Sequence, residues 1–177
     1  MKIFLDTEFI EDGRTIDMLS IGLVREDGAT YYAEVIDSIP LWDTADSWVK
    51  ENVIAHLKSN NTAEFVPELK LKKRIAKDIV EFVGENPEFW AYFADYDWVV
   101  LCQLYGRMID LPTGWPMFCM DIKQLAVSVG INDSNEFPEQ IGTEHNALDD
   151  ALWNKTVFEY LQSYKTLNNF FTKNPKE

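Results

Sequence analysis

The sequence predicts an α/β domain in which helices flank a mixed sheet. Two observations carry this. Three apolar, β-rich segments follow one another within the first 35 residues, joined by short turn signals. Beyond them, helical periodicity alternates with short apolar runs. Closely linked strands form an antiparallel meander, while strands linked through helices add the rest of the sheet.

The first strand covers residues 2–9, where Ile3-Phe4-Leu5 runs into Asp6-Thr7-Glu8-Phe9. Glu11-Asp12-Gly13-Arg14 marks a turn, residues 17–25 the second strand, and Asp27-Gly28 a hairpin signal before a third strand at 29–35. Over residues 44–57, Trp48, Val49, Val53, Ile54 and Leu57 share one helical face. Asn60-Asn61-Thr62 interrupts the pattern. A second helix over 68–83 has Leu71, Ile75, Ile79, Phe82 and Val83 as its stripe. Pro87 precedes a strand at 89–93, which leads into a helix carrying Val99, Val100, Leu101 and Leu104. Pro112 and Pro116 mark a loop, 117–120 is a short apolar strand, and Asp121 is placed to N-cap a helix reaching Val129. A polar loop over 132–144 leads to a long helix from Asn146 to Tyr164. With no repeat or linker, residues 1–165 read as one domain and 166–177 as a loosely held tail.

At 177 residues, 46% hydrophobic and 14% aromatic, the chain has material for a sizeable core and is not disordered. A net charge of −14 argues against coating nucleic acid by bulk attraction. It leaves room for taking a nucleic-acid end into a cleft where bound cations reverse the local field. Cys102 and Cys119 form no CxxC pattern and read as buried apolar residues in a reducing cytoplasm. Acids stand where a signal peptide needs an apolar stretch, and no run has membrane-spanning length, so the expectation is a cytoplasmic protein without a membrane contact.

The chemistry sits in the acids. Alternation along the first strand sends Asp6 and Glu8 to the same side. Two adjacent carboxylates repel, and burying them is costly unless a cation lies between them; oxygen ligands suit Mg²⁺ or Mn²⁺. Asp95 and Asp97 stand where an apolar strand meets a helix: Asp95 suits an N-cap, and Asp97 suits either a cap or a metal ligand. On the last helix, Ala147, Ala151, Phe158 and Leu161 make the buried stripe, Asp150 points inward, and Asp149 lies toward the edge. His145 stands just before that helix, where its ring can swing into a cleft. His56, with no acids around it, reads as structural.

Taken in order, these residues resemble the DEDDh family of 3′→5′ exonucleases, which includes oligoribonuclease, RNase T and proofreading exonuclease subunits. Asp6 and Glu8 match the first motif, Tyr96-Asp97 followed by Trp98-Val99-Val100-Leu101 the second, and His145 with Asp150 the third. Asp6-Thr7-Glu8-Phe9-Ile10-Glu11-Asp12-Gly13-Arg14-Thr15-Ile16 and Leu101-Cys102-Gln103-Leu104-Tyr105-Gly106 are similar to the branch of mycobacterial polyadenylate-specific 3′-exoribonucleases. One position departs: many DEDDh enzymes carry Asn four residues before the second-motif Asp, and here Phe93 stands there.

The resemblance implies an RNase H-like fold with a mixed five-stranded sheet whose first three strands are antiparallel. It implies two Mg²⁺ or Mn²⁺ ions held by Asp6, Glu8, Asp97 and Asp150, with Asp6 between them and His145 as general base. It also implies release of nucleoside 5′-monophosphates from single-stranded RNA 3′ ends, with a preference for adenine-rich ends, and assembly as a homodimer. Thr7 and Phe9 flank the dyad as substrate contacts, although Phe9 suits core packing equally well. Lys70, Lys72, Lys73 and Arg74 form the basic cluster: either a solvated helix face or, through Lys73 and Arg74, a strip for upstream phosphates. The rival readings are a 3′→5′ exonuclease on single-stranded DNA and an inactive RNase H-like scaffold that binds a basic protein.

Overall fold

Strands β1 (Lys2–Glu11), β2 (Ile16–Arg25) and β3 (Thr30–Val35) pair antiparallel, as their hairpin signals require. The computed structural model describes residues 1–62, 64 and 66–173, with side chains described as far as residue 164. Three shorter strands add parallel to this meander: β4 (Leu69–Lys70) beside β3, β5 (Glu88–Ala91) beside β1, and β6 (Met120–Asp121) beside β5. The order is β4-β3-β2-β1-β5-β6. The mixed sheet is as expected, with six strands rather than five, because Leu69 and Lys70 leave the expected second helix to pair with Glu34 and Val35.

Helices cover both faces. On one, α2 (Lys72–Val83) and α3 (Asp95–Gln103) bury Ile75, Ile79, Val100 and Leu101 against Ile3, Leu5, Ile21 and Leu23. On the other, α4 (Ile122–Ser128) and α5 (Ala147–Lys173) bury Ile122, Ala126, Ala151, Val157 and Leu161 around Phe4, Val24 and Trp90. Successive residues of β1 thus feed opposite cores. Asp121 caps α4, accepting from Gln124 N at 2.6 Å. The side chain of Asp95 caps nothing: Ala94 is the cap of α3, without a side-chain bond.

The largest departure from the periodicity is the segment expected to be one helix over 44–57. It is a 3-10 helix at Ile36–Thr44, a short α1 (Ser47–Asn52) capped by Asp46, and 3-10 turns at Ile54–His56 and Lys58–Asn60. The β-branched pair Val53-Ile54 disfavours helix continuation, and the turns still deliver Val53, Ile54 and Leu57 to a satellite core with Ile10 and Leu19. Buried Glu34 latches this excursion to the sheet, accepting from Lys58 N at 2.7 Å and Ser59 N at 2.9 Å. Trp48, expected in the buried stripe, is 52% exposed. The final helix passes Tyr164 and runs to Lys173; residues 174–177 of the expected tail lie outside the described residues.

Both neighbours of β1 determine how the helices attach to it. β5 pairs with β1 only as far as Phe4↔Trp90, so the rest of β1 loses its partner on that edge. Backbone groups there need other partners. Leu5 O accepts from the buried Asn154 Nδ2 at 2.9 Å, and Thr7 N donates to Asp97 Oδ1 at 2.8 Å, which ties α5 and α3 to β1. On the opposite edge, Gly22 of β2 pairs with Asp6, and the first turn of α5 lies directly on it: a Cβ built at Gly22 would sit 2.1 Å from Ala147 O and 2.5 Å from Leu148 Cα.

Both contacts at Gly22 are backbone, so no side chain can yield. Gly22→Ala is expected to displace the start of α5 and destabilise the fold by about 1–3 kcal/mol, the usual cost of overpacking. In a chain of this size that lowers Tm by roughly 2–12 °C. An unchanged melting curve would mean that α5 is not seated as described.

Candidate metal centre

The unpaired stretch of β1 opens a cleft of about 260 Å³ lined by Asp6, Thr7, Glu8, Phe9, Tyr92, Phe93, Tyr96, Asp97, His145 and Asp150. All five acidic and imidazole residues singled out in the sequence are therefore brought together. β1 contributes Asp6 and Glu8, the first turn of α3 contributes Asp97, and the first turn of α5 contributes Asp150. Oxygens of Glu8 and Asp150 and a nitrogen of His145 lie within 4.8 Å of one another. A register shift at Glu8/Phe9 marks a β-bulge, a device that re-aims side chains beside functional sites.

Each group is held. Asp97, 6% exposed, accepts at Oδ1 from both Thr7 N, at 2.8 Å, and Thr7 Oγ1, at 2.6 Å. Asp150 Oδ1 accepts from Gln140 Nε2 at 2.5 Å. Trp153, one helical turn on, donates from Nε1 to Pro138 O at 2.9 Å, pinning the loop that carries Gln140. His145 has a left-handed backbone, φ 62°, and its ring meets Trp48 edge-on with centroids 4.8 Å apart. Non-glycine residues are uncommon in that region and cluster at functional sites. Asp149, by contrast, accepts from Thr143 N at 2.9 Å and turns away from the acidic cluster, as the helical wheel indicated.

Crowding shows in the proton affinities. Burial, then the charges of Asp97, Glu8 and Asp150, raise the Asp6 carboxyl well above its ordinary range. Burial and the neighbouring Asp150 and Asp97 push Glu8 up to about 9. Asp97 rises to about 6 through burial, opposed by the two Thr7 hydrogen bonds. Burial raises Asp150, with Gln140 and His145 pulling the other way. Among the described residues, no lysine or arginine lines this cleft. Four oxygen-donor groups that repel one another without a compensating side-chain cation fit hard divalent cations of the Mg²⁺ or Mn²⁺ kind.

The expected substrate contacts divide. Phe9 lines the cleft and stacks on Tyr96 with centroids 5.8 Å apart and planes at 9°, while its other side packs on the core. Thr7 is 4% exposed and spends both donors on Asp97, so it orients that carboxylate and does not reach outward. Lys73 and Arg74 are not at this cleft: Lys73 lines a separate groove with Lys77 and Tyr105, and Arg74 pairs with Asp78 at 2.6 Å. Lys70 also pairs with Asp78 and Lys72 with Asp17, so three of the four basic residues of the cluster are held in ion pairs. Sequence reasoning missed Gln140 and Gly22, and it read Trp48 as core. A lone glycine within an apolar strand does signal close backbone approach and could have flagged Gly22. Nothing in the sequence ties Gln140 to Asp150.

Raised carboxyl pKa values make the metal-free fold sensitive to base. The unfolded chain releases the Glu8 proton near 4.5 and the folded chain near 9. Between those values the folded state binds more protons, so stability falls as pH rises through that window. In EDTA, Tm is expected to drop from pH 5 to pH 9, and Mg²⁺ or Mn²⁺ should restore it most at the alkaline end. Glu8→Gln, which cannot ionise, should melt at least about 2–4 °C above the parent at pH 8.5 without metal, the shift that about 1 kcal/mol produces, and the difference should vanish near pH 4. A parallel decline in both proteins would assign the effect elsewhere.

The profile of the Rv2179c-like 3'-5' exoribonuclease domain matches residues 1–162. The chain is 37% identical over 155 residues to the 3'-5' exoribonucleases Rv2179c and MT2234.1 from two strains of Mycobacterium tuberculosis, covering 85% of this chain and 87% of each relative. Among solved structures it is similar to Pop2p of S. pombe in a Mg²⁺- and Mn²⁺-bound form, with a TM-score of 0.56 and 15% identity over 92% of this chain and 82% of that one. The catalytic unit of Neurospora crassa Pan2 gives a TM-score of 0.51 at 14% identity, over 99% of this chain and 30% of that one. These structural likenesses carry the fold, which is RNase H-like. The sequence matches carry the family: this chain belongs to the Rv2179c-like 3'-5' exoribonucleases.

Proposed function

We propose that the protein is a metal-dependent 3′-5′ exoribonuclease of the DEDDh type that removes 3′-terminal nucleotides from single-stranded RNA as nucleoside 5′-monophosphates. The observation that carries this reading is the convergence of Asp6, Glu8, Asp97, Asp150 and His145 on a cleft whose described lining holds no lysine or arginine. Family membership supports RNA as the polymer. Among the described residues no helix is long and apolar enough to cross a membrane.

Four carboxylates repel a phosphodiester, so substrate and divalent cation have to be accommodated together. Asp6, Glu8, Asp97 and Asp150 would hold two such ions, Mg²⁺ or Mn²⁺. Bound there, they supply the charge that acidifies a water and offsets the negative phosphate and departing 3′ oxygen. The chain's own residues do the remaining work. Thr7 and Gln140 hold Asp97 and Asp150 in fixed rotamers. His145, which lines the cleft beside Glu8 and Asp150, takes the proton from the attacking water as general base. The stacked Phe9–Tyr96 pair offers a flat apolar surface to the terminal base. A new P–O bond forms as the bond to the 3′ oxygen breaks, and the nucleoside 5′-monophosphate leaves. Preference for adenine-rich ends and assembly as a homodimer belong to the same proposal.

The test is incubation of matched RNA and DNA oligomers, with A-, C- or U-terminated RNA, in Mg²⁺, Mn²⁺ or EDTA, with products weighed by mass spectrometry. Stepwise 3′ loss of 5′-monophosphates from RNA, abolished by EDTA, is expected; faster loss from DNA would move the assignment to a deoxyribonuclease. His145→Ala should lower kcat by about 10²–10⁴-fold, the usual worth of a general base, and leave the metal-dependent rise in Tm in place. Asp150→Asn should abolish turnover and Asp149→Asn should retain it; the reverse pattern would show that the wrong aspartate has been assigned.

A further inference from the structure

Phe93 is the one residue of the cleft that is both prominently exposed and conformationally forced. Its side chain is 63% exposed, and its backbone has φ 57°, a region that bulky residues avoid. The neighbours enforce this geometry. Ala94, 3% exposed, donates its N–H to Asp121 Oδ2 at 2.8 Å immediately after Phe93. Tyr92, just before it, is wedged edge-on between Phe137 and Trp153. The Phe93 ring then meets Tyr92 edge-on, with centroids 4.6 Å apart. Core packing does not explain a ring held so far out.

Its position suggests what it is for. Phe93 lines the acidic cleft and also a neighbouring groove of about 930 Å³ that runs past Tyr92, Phe137, Asn132 and Lys123. A strand whose last nucleotide lies over Phe9 and Tyr96 has to leave the cleft at some point, and Phe93 stands where cleft and groove join. Electrostatics offers little grip along this path. Among the described residues that line cleft and groove, Lys123 is the one lysine or arginine; it donates to Asn132 O at 2.7 Å and shares the groove with Asp133, Glu139 and Glu144. Where phosphate contacts are scarce, stacking is the remaining source of affinity for a single strand, and every base presents a π-face to it.

We propose that Phe93 is a stacking platform for the penultimate base of the RNA, a second-nucleotide subsite at the cleft mouth. This rests on the exoribonuclease reading and deepens it. The site takes a single-stranded nucleic acid with an unpaired second base, is tolerant of base identity, and depends only weakly on salt.

The experiment compares the parent, Phe93→Ala and Phe93→Trp on a short RNA and on the same RNA with an abasic penultimate nucleotide. KM is measured in the parent background, and equilibrium binding by fluorescence anisotropy in an Asp150→Asn background, where turnover is removed. Phe93→Ala should weaken binding and raise KM for the intact RNA by about five- to a hundredfold, the range that loss of one base–aromatic stack covers. The abasic RNA should bind the parent and Phe93→Ala equally, and Phe93→Trp should restore the intact RNA. Alanine shares the backbone cost of phenylalanine at this position, so a melting curve close to the parent's is expected. Equal losses on intact and abasic RNA, or none on either, would overturn the subsite. Should the parent fail to hydrolyse RNA at all, the exoribonuclease reading falls, and the anisotropy comparison still decides whether the ring holds a base.

Discussion

Mutual repulsion among four carboxylates is the constraint on which the rest of this structure depends. Asp6, Glu8, Asp97 and Asp150 come from three separate elements, and their own charges favour separation. The fold holds them together by making each element's attachment to β1 non-negotiable. Leucines, isoleucines and aromatics on both faces of the sheet supply the energy, since each buried large apolar side chain is worth about 1.5–3 kcal/mol. Asn154 on Leu5 O, Thr7 on Asp97 and the bare Cα of Gly22 under α5 supply the direction. Stability is sacrificed at the centre and recovered around it.

That arrangement also explains why the cleft forms where it does. β5 accompanies β1 for three residue pairs and then stops, at the point where β1 turns acidic. Had β5 continued, its backbone would have occupied the edge to which Asp97 now bonds. The end of strand pairing, the first turn of α3 and the first turn of α5 coincide, so two helix N-termini deliver carboxylates to one strand. Acids are favoured in the first turn of a helix by the macrodipole, which lowers the cost of placing Asp97 and Asp150 there.

Around this acidic centre the walls are aromatic. Phe9, Tyr92, Phe93 and Tyr96 surround the carboxylates, and Trp48 touches His145. In a chain of net charge −14 the proposed division of labour is coherent: cations would neutralise the phosphate locally, and rings would hold the bases. The expected phosphate strip at Lys73 and Arg74 has no place in it, because Arg74 pairs with Asp78 and Lys73 lines a separate groove.

The linear order of residues determined the meander and both helix-flanked faces, and it singled out Asp6, Glu8, Asp97, His145 and Asp150, which the fold brings to one cleft, because period-2 and period-3.6 patterns and short acidic motifs are local properties. It also separated Asp150 from Asp149, since one helical wheel suffices for that. It misjudged residues 44–57, where apolar spacing suits a helix but β-branched residues and a satellite core favour short turns. Only the tertiary structure decided that Leu69 and Lys70 form an edge strand, that Thr7 serves Asp97, that Gln140 holds Asp150, and that Phe93 is displayed at the cleft mouth. Each of these is a contact between residues remote in sequence or a backbone angle imposed from outside, and neither leaves a trace in the local pattern of the chain.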